Sequence, residues 1–143
     1  MQDDTIKLLR ECNSGIKMGI SSLDDVIDDV QSGGLREILK DSREIHCRLG
    51  SETHQYLIKY NDEGKEPAPM AKAMAKIKSN FKTMGENPDP SIASLITDGC
   101  NMGIKSLYRD LNQYPAADKA VKHLAKQIID TEEKLLEALR QYL

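Results

Sequence analysis

The stretch Asp4–Val30, DTIKLLRECNSGIKMGISSLDDVIDDV, decides the fold. Ile6, Leu9, Ile16, Ile20, Leu23, Ile27 and Val30 step through it by three and four, with one gap at Asn13. A stripe of that period marks an amphipathic helix that has to be buried against other helices. Ser32-Gly33-Gly34 follows, and glycine accepts the left-handed conformation of a helix stop, so the first helix is expected to run over about 4–30 and end there.

Three more segments repeat the pattern. Leu35, Ile38, Leu39, Ile45, Leu49, Tyr56 and Leu57 line a helix over about 35–60, closed by Asn61-Asp62-Glu63-Gly64. Leu95, Ile96, Cys100, Ile104, Leu107, Leu111 and Tyr114 line a third over about 90–114. Asp89 is its expected N-cap, Pro90 its first residue and Pro115 its stop. Val121, Leu124, Ile128, Leu135, Leu139 and Tyr142 line a fourth over about 116–142. Helices of this length reach roughly 40 Å at ~1.5 Å per residue, so the four match side by side. The short joins at 32–34 and 115 make helices 1–2 and 3–4 antiparallel hairpins. No segment reads as a strand. The expectation is one all-α domain over 1–143, a four-helix bundle of two helix hairpins.

The connection between the second and third helices contains a short amphipathic helix over about 70–84. Met70, Met74, Ile77, Phe81 and Met84 form its apolar side, with Lys72, Lys76, Lys78 and Lys82 on its other faces. A Met-lined, basic surface suits a partner groove or an anionic membrane, which makes Lys72, Lys76, Lys78, Phe81 and Lys82 candidate partner-binding residues. Packing of the stripe on the bundle with solvated lysines is the simpler reading.

An internal repeat runs through the chain. Cys12-Asn13-Ser14-Gly15-Ile16-Lys17 recurs as Cys100-Asn101-Met102-Gly103-Ile104-Lys105, residue 12 to residue 100, an offset of 88. Tyr56-Leu57 recurs as Tyr142-Leu143, residue 56 to residue 142, an offset of 86. Two matches in the right order imply hairpins related by a pseudo-two-fold axis. Gly15 and Gly103 would then be equivalent, with Gly19 one turn on. Since glycine costs a helix interior ~1 kcal/mol relative to alanine, close approach of helices 1 and 3 is expected at these positions.

Two equivalent hairpins joined by a long crossover resemble the ferritin-like superfamily, and more narrowly a group of uncharacterised clostridial-type bacterial ferritin-like bundles. The Cys-Asn-x-Gly-Ile-Lys repeats carry the resemblance. So do Lys65-Glu66-Pro67-Ala68-Pro69-Met70-Ala71-Lys72-Ala73-Met74 and Tyr108-Arg109-Asp110-Leu111-Asn112-Gln113-Tyr114. It covers nearly the whole chain and implies the fold, but no activity.

Metal-bearing members of the superfamily take a Glu from each of two helices and a Glu-x-x-His from each of the other two. This sequence has no Glu-x-x-His: Arg43, Ser51 and Ala120 stand three residues before His46, His54 and His123. The inner stripes nevertheless break at mid-height, at Asn13, His46, Asn101 and Glu132, the last matching His46 at the offset of 86. A polar core layer of these four is expected. Its members either hydrogen-bond one another and set helix register, or His46 and Glu132 hold iron or another transition metal with Cys12 or Cys100 assisting. A dinuclear centre needs about four carboxylates, so the metal-free reading is preferred.

Net charge of −3 and a pI near 5.6 supply no surplus of cations for a phosphate backbone, and one Phe without Trp offers no stacking platform, so nucleic acid is not an expected partner. No apolar run approaches a membrane span, and the acidic start is unlike a signal peptide. Cys12, Cys47 and Cys100 form no CxxC, and reduced thiols in a cytoplasmic protein are expected. Buried small core residues are the simplest role for Cys12 and Cys100. No catalytic residues are assigned. The expected role is non-catalytic, through protein–protein contact or self-association.

Overall fold

The computed structural model describes residues 2–64 and 87–143. Four long helices make up nearly all of them: α1 (Gln2–Ile27), α2 (Gly33–Lys59), α3 (Asp89–Gln113) and α4 (Lys119–Leu139), with a 3-10 turn at Arg140–Tyr142. No strand occurs among the described residues. The expected helix over about 70–84, with Lys72, Lys76, Lys78, Phe81 and Lys82, lies outside them.

The helix ends depart from the expected boundaries for local reasons. α1 stops at Ile27, and Asp28 and Asp29 form a turn in which the Asp29 N–H donates to the Val26 carbonyl at 3.0 Å. Gly33 and Gly34 do not stop α1 in a left-handed conformation. They open α2, with Ser32 as its N-cap accepting from the Leu35 N–H. Gly34 makes room for Tyr142, since a Cβ on it would sit 2.5 Å from the Tyr142 hydroxyl and the phenol would have to shift. Asp89 is not the N-cap of α3. Pro88 takes that place, and the Asp89 carboxylate accepts the N–H groups of Gln31 and Ser32, each at 2.8 Å. α4 starts at Lys119, because residues 114–117 form a turn closed from Ala117 N–H to Tyr114 carbonyl at 3.2 Å before Asp118 caps the helix.

Cross-helix contacts set the directions. α1 and α2 run antiparallel: Arg10 holds Asp62, Ile16 meets Gly50, Gly19 meets His46 and Arg43 holds Asp24. α1 and α3 are tied at both ends. Asp118 N–H donates to Thr5 Oγ1 at 2.8 Å and Ala116 N–H to Asp4 at 3.0 Å, while Asp89 holds residues 31–32 at the other end. α2 and α4 are also antiparallel, with Tyr60 donating to Asp118 at one end and Gly34 beneath Tyr142 at the other. α2 and α3 therefore run the same way, and Gly64 and Asn87 lie at opposite ends of the bundle.

The apolar stripes meet in two separate cores. One end is filled by residues such as Leu23, Val26, Leu35, Leu39, Ile92, Ile96, Leu135 and Leu139. The other is filled by Leu8, Leu9, Ile16, Leu49, Leu57, Leu107, Val121, Leu124 and Ile128. Burial of these side chains supplies most of the drive to fold, at about 1.5–3 kcal/mol for each large one.

Candidate functional site: the layer between the two cores

On every helix the two cores are interrupted at the same height. The gap falls between Ile16 and Leu23 on α1, Leu39 and Leu49 on α2, Cys100 and Leu107 on α3, and Ile129 and Leu135 on α4. Gly19, His46, Gly103 and Glu132 lie in those four intervals, with half-buried Ile20, Ile45 and Ile104 in three of them packed on the second core. His46 and Glu132 are buried, at 3% and 7% exposure. Each rests on a glycine of the neighbouring helix. A Cβ on Gly19 would lie 2.9 Å from His46 Cδ2 and 3.1 Å from Nε2. A Cβ on Gly103 would lie 2.5 and 2.7 Å from the two carboxyl oxygens of Glu132. The absent methyl groups are the room in which the imidazole and the carboxyl sit.

This layer differs from the expected one. Asn101 is not part of it; its side chain is exposed on the outer face of α3, beside Met102 and Lys105. Asn13 is buried, but six residues from Gly19 along α1, about 9 Å at 1.5 Å per residue. What covers it is the chain leaving α2. Gly64 has φ +84°, and a Cβ there would fall 2.5 Å from Asn13 Nδ2 and 3.1 Å from Leu57. The α3 shoulder has no such cover among the described residues, so the repeated Asn meets solvent. The glycines also serve another purpose than close approach of helices 1 and 3. No described atom lies within 4 Å of a Cβ at Gly15, and Gly103 accommodates a side chain from α4. The sequence signal for Gly19 was its own presence in mid-helix, against its helix propensity.

The chemistry of the layer follows from its hydrogen bonds. His46 Nδ1 lies 2.7 Å from the Ser42 carbonyl, one turn back on α2. A carbonyl only accepts, so Nδ1 carries the proton and Nε2 the lone pair. Burial pushes the His46 pKa below its ordinary value, partly opposed by that hydrogen bond, so the ring is neutral near pH 7. Glu132 Oε2 is buried without a hydrogen-bond partner among the described residues. Burial pushes its pKa up to about 8. It is therefore a carboxylic acid at neutral pH, with one O–H to donate.

The cysteines fall on opposite sides of the layer, Cys12 in one core and Cys100 in the other, so they do not face each other. Both are free, and burial pushes each thiol up to about 12, well away from the thiolate that binds metal or attacks disulfides. Asp110 adds to the shift of Cys12, and Glu132 to that of Cys100.

The four residues do not fit a dinuclear carboxylate centre. Two helices offer glycine at the central height, and the other two offer one imidazole and one carboxyl. No group of three or more His, Cys, Asp or Glu side chains arranged to hold a metal ion occurs among the described residues. No described helix is long and apolar enough to cross a membrane. Comparison with protein families, curated proteins and solved structures finds no match.

Proposed function

We propose that the protein is a ferritin-like bundle of two duplicated helix hairpins, of the clostridial-type bacterial group, whose centre is packed with side chains instead of metal. Its role is non-catalytic, through contact with another protein or a second copy of itself, in the cytoplasm. The observation that carries this reading is the composition of the central layer. Gly19 and Gly103 stand where two helices would have to contribute ligands, and the space they leave is taken by His46 and Glu132.

The outer surface supports action by contact. Met102 and Tyr108 are 56% and 50% exposed on α3, and Ile58 is 59% exposed on α2. Large apolar groups held in water are better accommodated in an interface.

The test has two arms. Metal analysis of anaerobically purified protein is expected to find no stoichiometric iron, manganese or zinc; one or two ions per chain would overturn the reading. Sedimentation equilibrium and pull-down with the full chain are expected to reveal association that Met102→Lys with Tyr108→Lys weakens about tenfold, as loss of interface anchors does. Association unchanged by that pair would remove α3 as the contact surface.

A further inference from the structure

We infer that Glu132 and His46 form a hydrogen-bonded acid–imidazole pair across the α2–α4 interface, the O–H of Glu132 donating toward Nε2 of His46, directly or through one trapped water. The inference rests on the metal-free reading above and assigns what that centre contains.

Three observations place the partners. The contacts of Gly34 with Tyr142 and of Tyr60 with Asp118 bracket α2 against α4, and His46 and Glu132 both lie close to the midpoint between them. The two core clusters leave a gap at both residues. His46 is committed through Nδ1 to the Ser42 carbonyl, which leaves Nε2 as an acceptor, while Oε2 of Glu132 is buried with no described partner.

The inventory of neighbours narrows the choice. α1 presents Gly19 to the imidazole, and α3 presents Gly103 to the carboxyl, so at these two contacts neither helix supplies a polar side chain. The α3 group whose titration Glu132 affects is the Cys100 thiol, a weak hydrogen-bonding group. A buried unmatched donor or acceptor costs ~1–3 kcal/mol, and the unmatched Glu132 Oε2 shares its height with His46 Nε2, the lone-pair nitrogen on the adjoining helix. The structure shows no direct bond between them. A water accepting from Glu132 and donating to Nε2 spans the same pair with the same polarity, and such waters are ordinary members of protein interiors.

The experiment uses the full chain at pH 7. Long-range proton–nitrogen NMR of His46 is expected to show a protonated Nδ1 and a hydrogen-bonded, unprotonated Nε2. Infrared difference spectra between wild type and Glu132→Gln are expected to show the carbonyl stretch of a protonated carboxyl. In a double-mutant cycle of His46→Phe and Glu132→Met, the unfolding constants are expected to be coupled by about fivefold or more. A high-resolution crystal structure separates the direct bond from the water bridge, both of which support the pair. An Nε2 shift unaffected by Glu132→Gln, or a carboxylate band in place of the carbonyl stretch, overturns the pair and leaves the metal-free reading standing. Stoichiometric zinc or manganese uptake that needs both side chains overturns both.

Discussion

Gly103 lies directly beneath Glu132, and Gly19 beneath His46, so each polar side chain of the central layer occupies the volume that a methyl group on its neighbour would claim. The layer is held by what is missing from α1 and α3 as much as by what α2 and α4 supply.

Two glycines one turn apart on α1 should respond in opposite directions to alanine. Gly15→Ala meets no described atom within 4 Å and is expected to stabilise the helix by roughly 0.5–1 kcal/mol. Gly19→Ala drives a methyl into a rigid ring at 2.9 Å and is expected to destabilise by about 1–3 kcal/mol despite the same gain in propensity. Urea unfolding of the two variants checks this. A Gly19→Ala protein as stable as Gly15→Ala would show that His46 does not pack on that surface.

Glu132→Gln should change stability in a way that depends on pH. The folded acid titrates near 8, against 4.5 for an exposed glutamate. Below 4.5 both states hold the proton and it contributes nothing to the difference. As pH rises from 4.5 to 8 the unfolded chain gives up its proton while the folded one keeps it, so the wild type loses stability progressively. Glu132→Gln removes that loss and is expected to gain relative to wild type on the order of a few kcal/mol by pH 8, with no pH-dependent gain at pH 4. Denaturation curves at pH 4, 6 and 8 measure it, and a difference independent of pH would mean that Glu132 is ionised in the folded protein.

Asp89 ties the α1–α2 join to the start of α3 through two 2.8 Å charge-assisted bonds. Asp89→Ala leaves the N–H groups of Gln31 and Ser32 without that acceptor and is expected to cost about 2–4 kcal/mol, as loss of two such bonds at a buried carboxylate does. Hydrogen exchange should be faster at these two amides in the variant than in the wild type, with α1 and α2 little changed. Unchanged protection there would sink the assignment.

The three thiols should react in order of access. Cys12 and Cys100 are buried and held protonated, whereas Cys47 is half-buried beside Arg43. Iodoacetamide at pH 8 is expected to modify Cys47 first and the other two only on unfolding, as read by peptide mass spectrometry. Rapid labelling of Cys12 or Cys100 in the folded protein would contradict their burial.

Much of this fold was legible in the sequence, since four stripes of the same period and length leave few arrangements that bury them. His46 and Glu132 were legible too, because a polar residue breaks the inner stripe at each. The asparagines misled because the repeat relates positions along the helices without saying what covers each shoulder. Asn13 is covered by the turn at Gly64, and Asn101 is left outside. Asp89 misled because a side chain one residue from a helix start can serve its own helix or a neighbour, and only the nearness of residues 31–32 decides between them.

By itself, the sequence determined that the chain is helical, where its helices approximately begin and end, and which residues break its stripes, because these depend on local periodicity and backbone preference. Tertiary structure alone decided that two glycines complete the central layer. A glycine has no side chain to signal its partner, and the imidazole or carboxyl that fills its place arrives from a different helix.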